Sequence, residues 1–122
     1  MKIIDAINKT DSLKHNTYSH GDKIGWLSEL EWDVKRTVID THEVDNVDFS
    51  GYDEQTDLQT ELIIPAPYDK AYLLWIEAQI NYYNGEYDKY NNAMDMFYEA
   101  FDGFKRYYNR THMPKGEKIK FF

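Results

Sequence analysis

The sequence predicts an all-α fold, a small bundle of three main helices with a short N-terminal helix. Apolar residues recur at helical spacing in three long stretches. Aromatic residues make up 16% of the 122 positions, and each can bury a large area. Because of that aromatic weight, a chain with only 42% hydrophobic residues can still form a core. The length fits one helical domain over residues 1–122.

The first two helices are predicted in the N-terminal third of the chain. A short helix is expected over residues 2–8, where Ile3, Ile4 and Ile7 share one side. Ser19 followed by Asp22 resembles a capping box, so a second helix is expected from residue 20 to residue 42. Its apolar stripe repeats at helical spacing: Ile24, Leu27, Leu30 (or Glu31), Val34 and Val38.

A long acidic loop is predicted over residues 42–66, where the helical period fails. The stretch "VDNVDFSGYDEQTD" is rich in carboxylates and contains one glycine. The apolar run from Leu62 to Ile64 is compatible with a short strand near residues 61–64, ended by Pro65 and Pro67. A loop of this length in a small domain is usually functional or disordered.

The last two helices are predicted to form a C-terminal helical hairpin. The third helix is expected from near Pro67 to Asn84-Gly85, and it is apolar nearly all round, as a buried helix would be. The fourth is expected over residues 86–110, two or three residues later. Its core stripe has spacings of three and four: Tyr87, Tyr90, Met94, Phe97, Phe101, Phe104 and Tyr108. This stripe favours a bundle core over a coiled-coil seam or a ligand-binding wall.

Charge is distributed unevenly along the chain, whose formal net charge is −8. Residues 40–69 contain nine acidic residues and no Lys or Arg, whereas residues 105–122 contain six basic residues and one acid. Residues 113–122 are expected to form a flexible basic tail, because Pro114 and Gly116 break the helix. This asymmetry suggests contacts between copies or with partners. The candidate inter-subunit contact residues are Asp45, Asp48, Asp53, Glu54, Asp57, Lys105, Arg106, Arg110, Lys115, Lys118 and Lys120.

No catalytic chemistry is predicted from the sequence. There is no cysteine, no phosphate-binding glycine loop, no nucleophile elbow and no HExxH pair among the four histidines. Residues 46–57 match a calcium-binding loop only in part, since Asn46 and Asp57 stand where Asp and Glu are usual. We therefore expect no enzyme activity, no catalytic or cofactor-binding residues, no cofactor and no metal.

Partners and location are also constrained by charge and hydropathy. A chain of net charge −8 is not expected to bind nucleic acid in a sequence-specific way or to bind anionic membranes. Its first residues lack the long apolar run of a signal peptide, and no stretch approaches the 18 apolar residues of a membrane span. A soluble protein of the cytoplasm is expected.

Residues 61–116 resemble a known type of small protein. The pieces that carry the resemblance are "PAPYDKAY", "NYYNGEYDKYNNAM" and "YYNRTHMPKG", with "KIGWLSELEWDVKRTVIDTHE" (23–43) in the front half. The sequence is similar to head–tail connector (adaptor, or head-completion) proteins of tailed phages and prophages of Gram-positive bacteria. The resemblance covers most of the chain and is least secure over residues 44–60.

The resemblance implies a structural role in virion assembly. Such subunits form a ring under the portal, extend the DNA channel and dock the next tail component. The expected partners are therefore the portal protein, the next tail or head-completion protein and further copies of the chain. The expected locations are the bacterial host cytoplasm during assembly and the neck of the mature virion. The alternative is a monomeric helical protein-binding module or regulator without catalytic activity.

Overall fold

The computed structural model describes residues 1–42 and 48–112 of the chain. Four α-helices lie within these residues: α1 (Ile3–Leu13), α2 (His20–Thr37), α3 (Lys70–Tyr83) and α4 (Tyr87–Thr111). A short 3-10 helix, Ile39–Thr41, follows α2. The described residues contain no β-strand, and the prediction of an all-α fold is confirmed for them.

Helix α1 extends to Leu13, well beyond the expected end at residue 8. The added turns are polar in sequence, but tertiary contacts hold them, because α1 packs against both α2 and α3. Thr10 is buried, and its hydroxyl donates a hydrogen bond to the Ala6 carbonyl at 2.8 Å. Packing therefore extends this helix past the point where its apolar pattern stops.

Helix α2 begins where its cap predicts but ends earlier than expected. The Ser19 hydroxyl accepts a hydrogen bond from the Asp22 amide at 3.1 Å, which satisfies one of the free donors of the first turn. The helix ends at Thr37 and does not continue to residue 42. Thr37, Val38 and Ile39 are consecutive β-branched residues, which lose rotamer freedom in a helix. The chain tightens there into the 3-10 turn.

Near residues 61–64, where a short strand was considered possible, the described residues form a β-bridge and no strand. Lys2 and Glu61 form an isolated antiparallel bridge. Beside it, the Ile3 amide donates to the Thr60 carbonyl at 3.0 Å, and the Leu62 amide donates to the Met1 carbonyl at 2.9 Å. The pairing stops because α1 begins at Ile3 and leaves no extended partner for residues 63 and 64.

Helix α3 starts at Lys70 and not near Pro67. The preceding residues form turns, in which the Tyr68 amide donates to the Pro65 carbonyl at 3.0 Å. Helix α3 ends at Tyr83, as the Asn84-Gly85 signal predicts. Gly85 has φ +77°, its amide donates to the Tyr82 carbonyl, and the Glu86 amide donates to the Asn81 carbonyl. This pair of bonds is a Schellman motif, and it reverses the chain directly into α4.

The aromatic stripe of α4 packs mainly against α3. Five of its seven residues are buried: Met94, Phe97, Phe101, Phe104 and Tyr108. Tyr90 is half-buried, but Tyr87 is 60% exposed, so the prediction of a core position is wrong for Tyr87. Tyr87 lies in the first turn of α4, where its ring is 5.9 Å from the exposed ring of Tyr82.

Two buried polar contacts join the helices. The Lys23 ammonium of α2 lies 2.8 Å from a carboxylate oxygen of Asp11 on α1, and Lys23 is only 2% exposed. Burial raises the pKa of Asp11, but the hydrogen bonds from Lys23 and Asn16 outweigh it and lower that pKa overall. After α2, His42 joins the Val38 carbonyl (2.6 Å) to the Asn109 side chain of α4 (2.8 Å).

We predict that the two ends of the stripe differ in their effect on stability. Phe104→Ala should lower the free energy of unfolding by about 3–5 kcal/mol, because it removes a side chain that is 1% exposed. Tyr87→Ala is the matched control and should change it by about 0.5 kcal/mol or less. Urea unfolding followed by circular dichroism measures both. Equal losses would contradict this assignment of the core.

Candidate functional site

A buried carboxylate holds part of the connection between α2 and α3 on the bundle. Glu31 of α2 is fully buried and accepts three hydrogen bonds. They come from the Tyr72 hydroxyl (2.5 Å), the Tyr52 hydroxyl (2.9 Å) and the Ile63 amide (2.9 Å). The Ile64 amide in turn donates to the Tyr72 hydroxyl at 2.7 Å. We call these groups the Glu31 cluster, and residues 48–64 the acidic segment.

Burial dominates the electrostatics of the Glu31 cluster and shifts the pKa of its ionisable groups. Burial raises the pKa of Glu31, and the hydrogen bonds from Tyr72, Ile63 and Tyr52 offset this only in part. Burial and the nearby Glu31 carboxylate also raise the pKa of both Tyr72 and Tyr52 well above the ordinary value. Both phenols therefore remain protonated donors through the physiological range.

A second contact holds the start of the acidic segment on α2. The Tyr52 amide donates to the Ser28 hydroxyl at 3.0 Å. Phe49 is buried between the rings of Trp32 and Tyr52, each 4.9 Å away and edge-on. Gly51 has φ +100° beside Trp32, a backbone conformation that favours glycine. The segment is thus attached to the bundle through Tyr52 and through the backbone at residues 63 and 64.

The acidic candidates of this segment have different local environments. Asp48, Asp53, Glu54 and Asp57 are all exposed, and Asp45 lies outside the described residues. The Asp53 carboxylate accepts a bond from the Gln55 amide (2.8 Å), and that of Asp57 accepts one from the Gln59 amide (2.9 Å). These two side chains stabilise turns. Glu54 lies over Gly21 at the N-terminal end of α2, where a carboxylate is favourable.

Three of the basic candidates, Lys105, Arg106 and Arg110, lie on the last turns of α4. Arg106 and Arg110 are exposed, and the Lys105 ammonium lies 4.6 Å from the centre of the Phe101 ring. Lys115, Lys118 and Lys120 lie outside the described residues. None of the ion pairs formed within residues 1–42 and 48–112 joins a basic candidate to the acidic segment.

An apolar groove of about 550 Å³ runs between the end of α1, α3 and α4. Its apolar lining comes from Leu13, Leu73, Leu74, Met96 and Ala100. Leu13 is 78% exposed and Met96 is 57% exposed, which is unusual for large apolar side chains. The sequence pattern did not predict this groove. The apolar circumference of α3 was the available signal, since that helix was expected to be buried and its Leu74 is only half-buried.

A tyrosine patch, Tyr82, Tyr83 and Tyr87, lies at the turn between α3 and α4. The three rings are 48–60% exposed. Tyr83 stacks at 5.6 Å on the buried Trp26, and the Trp75 indole nitrogen donates to the Trp26 carbonyl at 2.7 Å. The patch is therefore backed by the core. Exposed tyrosines on a rigid base are typical of protein-binding surfaces.

The structure offers little for metal chemistry in the part that it describes. No group of three His, Asp or Glu side chains there is arranged to hold a metal ion. Asn46, the first position of the partial calcium pattern, lies outside the described residues, and the Asp57 carboxylate bonds to its own turn. Over residues 1–42 and 48–112, no helix is long and apolar enough to cross a membrane.

Comparisons with known proteins add no relative. No family model, no curated protein and no solved structure matches this chain. The resemblance to head–tail connector proteins therefore stays a prediction from the sequence pieces quoted above.

We predict a pH dependence of stability that is specific to Glu31. Its folded pKa is raised above the ordinary 4.5, so the folded state holds its proton more tightly than the unfolded state does. The resulting stabilisation is full below pH 4.5 and is lost as pH rises through the folded pKa. Each pKa unit of difference corresponds to about 1.4 kcal/mol.

The measurement is urea unfolding of wild type and Glu31→Gln from pH 4 to pH 8. The stability of wild type relative to Glu31→Gln should fall as pH rises above about 4.5. The exposed Glu29 of the same helix supplies the control, since Glu29→Gln should show no such trend. A wild-type advantage that grows with pH would mean that Glu31 is held ionised.

Proposed function

We propose that this protein is a structural subunit of phage or prophage virions, a head–tail connector that forms a ring under the portal. In this role it extends the DNA channel and docks the next tail component. The proposal is supported by the sequence resemblance over residues 23–43 and 61–116 and by the surface charges described above. Assembly would take place in the host cytoplasm, with the ring in the neck of the finished particle.

The observation that carries the proposal is a pair of exposed, oppositely charged surfaces on one subunit. Asp48 and Glu54 are exposed on the acidic segment, and on the last turns of α4 Arg110 is exposed and Lys105 is half-buried. No ion pair of the described residues joins the two sets within the chain. A ring is built from heterologous interfaces, in which one surface meets a different surface of the next copy. Two complementary surfaces on each copy suit that geometry.

The anchoring of the acidic segment supports the same proposal. A segment that is ordered only on binding loses conformational entropy at that moment, which weakens the complex. Here Glu31 and the Phe49 ring contacts hold the segment on α2 before any partner binds. The net charge of −8 also suits a channel wall, because it repels the phosphates of passing DNA.

The alternative function is a monomeric module that binds one protein partner. The tyrosine patch favours it, because three exposed rings backed by Trp26 could form the centre of a small interface. This alternative requires no ring and no portal. The two functions therefore differ in the assembly that they predict.

We predict a complex with the portal protein of the same phage or prophage. Negative-stain microscopy of the two proteins mixed together should show a ring of this chain seated on the portal. The chain alone, imaged at the same concentration, is the control. Free portal particles without an added ring, at saturating concentrations of the chain, would contradict the proposal and favour the monomeric module.

We further predict that opposite charges on neighbouring copies hold the ring together. Asp48→Lys with Glu54→Lys should weaken assembly at least about tenfold, because like charges then face each other. Lys105→Glu with Arg110→Glu should do the same, and combining all four changes should restore assembly. Glu29→Lys with Asp95→Lys is the control, since it makes the same charge change at exposed positions outside both surfaces.

The amount of ring on the portal, counted in micrographs, measures each variant. Circular dichroism verifies that every variant is folded. If the four-fold variant assembles no better than either pair, the two surfaces do not face each other, even where the wild-type ring forms.

A further inference from the structure

Residues 48–57 of the acidic segment, which we call the flap, lie along one side of α2. The flap is mostly exposed, and Phe49 is its one buried residue. Three of its residues lie against α2 in the reverse order of sequence: Phe49 on Trp32, Tyr52 on Ser28 and Glu54 on Gly21. These helix positions are about two turns and one turn apart, so they share one side. The flap is thus attached to the bundle at few points.

Other bonds of the flap are local and do not depend on α2. The Thr56 amide donates to the Asp53 carbonyl at 3.1 Å, and the Asp53 amide donates to the Thr56 hydroxyl at 2.9 Å. Directly after the flap the backbone is bonded to α1, where the Ile4 amide donates to the Leu58 carbonyl at 3.0 Å. A unit with few buried contacts and internal turns of its own can open without unfolding of the bundle.

The flap covers a carboxylate that has no cation beside it. Glu31 is 0% exposed, and the groups that face it are the phenols of Tyr72 and Tyr52 and the Ile63 amide. Only Tyr52 belongs to the flap. None of the ion pairs formed within residues 1–42 and 48–112 includes Glu31. In its ionised form this carboxylate therefore lacks both water and a counter-charge.

Charged residues on the surrounding elements pair with other groups or lie at the surface. On α2, the Lys35 ammonium is 3.0 Å from the carboxylate of Asp40. On α1, Asp11 pairs with Lys23, and the other charged residues of that helix are exposed. The acidic side chains of the flap are also exposed. The two charged residues of α3 line the groove: Lys70 and Glu77.

We infer that the flap is a pH-sensitive cover over Glu31, which closes when this carboxyl is protonated and opens more readily when it is ionised. In the closed state the Tyr52 hydroxyl bonds to Glu31, and in the open state water takes its place. Residues 58–64 stay on the bundle, so the Ile63 bond remains. Opening uncovers the ring of Trp32. This device needs neither a ring nor a portal and is independent of the proposed function.

The direction of the pH dependence follows from burial. Burial raises the pKa of Glu31 in the closed state above the ordinary 4.5, and hydration on opening returns it toward that value. The closed state therefore holds a proton that the open state releases. Closure is favoured most below pH 4.5 and weakens as pH rises through the closed-state pKa. Between these limits the opening constant rises by up to about tenfold per pH unit.

Amide hydrogen exchange at Tyr52 tests the inference, because this amide donates to Ser28 in the closed state. Its protection factor, which corrects for the intrinsic pH dependence of exchange, is measured from pH 4 to pH 7. In wild type it should fall at least about threefold over this range. In Glu31→Gln it should stay constant, because the amide side chain does not ionise. In the control Glu29→Gln, at an exposed position of the same helix, it should fall as in wild type.

A core amide separates flap opening from unfolding of the whole chain. Phe101 is buried in α4, so its amide exchanges only when the bundle unfolds. Low concentrations of urea should speed exchange at Phe101 and leave exchange at Tyr52 unchanged, because opening of the flap exposes little surface.

Tyr52→Phe is a second variant that does not alter the buried carboxylate. It removes the hydroxyl that bonds to Glu31 and keeps the ring. The amide at position 52 should then exchange about threefold faster or more at pH 4.5, as expected for one lost hydrogen bond. Circular dichroism verifies that each variant is folded.

Four results would overturn the inference. A protection factor at Tyr52 that is constant or rises with pH in wild type would mean that Glu31 does not control the flap. An equal fall in Glu31→Gln would mean that another group titrates. Equal urea dependence at Tyr52 and Phe101 would mean that the flap opens only with the whole chain. Unchanged exchange in Tyr52→Phe would mean that the bond to Glu31 does not hold the flap closed.

Discussion

The carboxylate of Glu31 is the point through which three separated parts of the chain meet. It lies in the middle of α2, yet its bonds reach Tyr52 and Ile63 of the acidic segment and Tyr72 of α3. A buried carboxylate is costly unless its oxygens are hydrogen-bonded, and three donors converge on this one. The bonds are directional, so they specify where residues 52–64 lie in a way that apolar contacts alone would not. Glu31 therefore fixes the position of residues 52–64 on the bundle.

The aromatic residues give this polar chain the buried apolar area that a core requires. Phe97, Phe101, Phe104 and Tyr108 fill the interface of α4, and Phe49 attaches the acidic segment to the ring of Trp32. Because so much apolar area is concentrated in a few rings, the remaining surface can carry separate acidic and basic regions. Because the apolar area is concentrated in these few rings, a groove remains where α1, α3 and α4 do not close completely. The combination of many aromatic residues with a polar remainder therefore explains both the core and the candidate binding surfaces.

Local signals in the sequence were sufficient to predict the helices but not the contacts between them. Ser19 and Gly85 act through neighbouring backbone groups, so the start of α2 and the end of α3 were predictable. The added turns of α1 depend on packing against α3, and the early end of α2 depends on three β-branched residues. The partners of Glu31 are 21 to 41 positions away, and no local pattern identifies them. The groove likewise exists only once three helices are placed side by side.

Amide hydrogen exchange in Tyr72→Phe tests the central role of the Glu31 cluster most directly. This change removes the hydroxyl that links Glu31 to the Ile64 amide and keeps the buried ring. The account predicts that the amides of Ile63 and Ile64 exchange about fivefold faster or more, as expected for one lost buried hydrogen bond. The amides of Phe97 and Phe101 in α4 should be unaffected. Unchanged exchange at residues 63 and 64, or an equal rise in α4, would contradict the claim that this cluster holds the acidic segment in place.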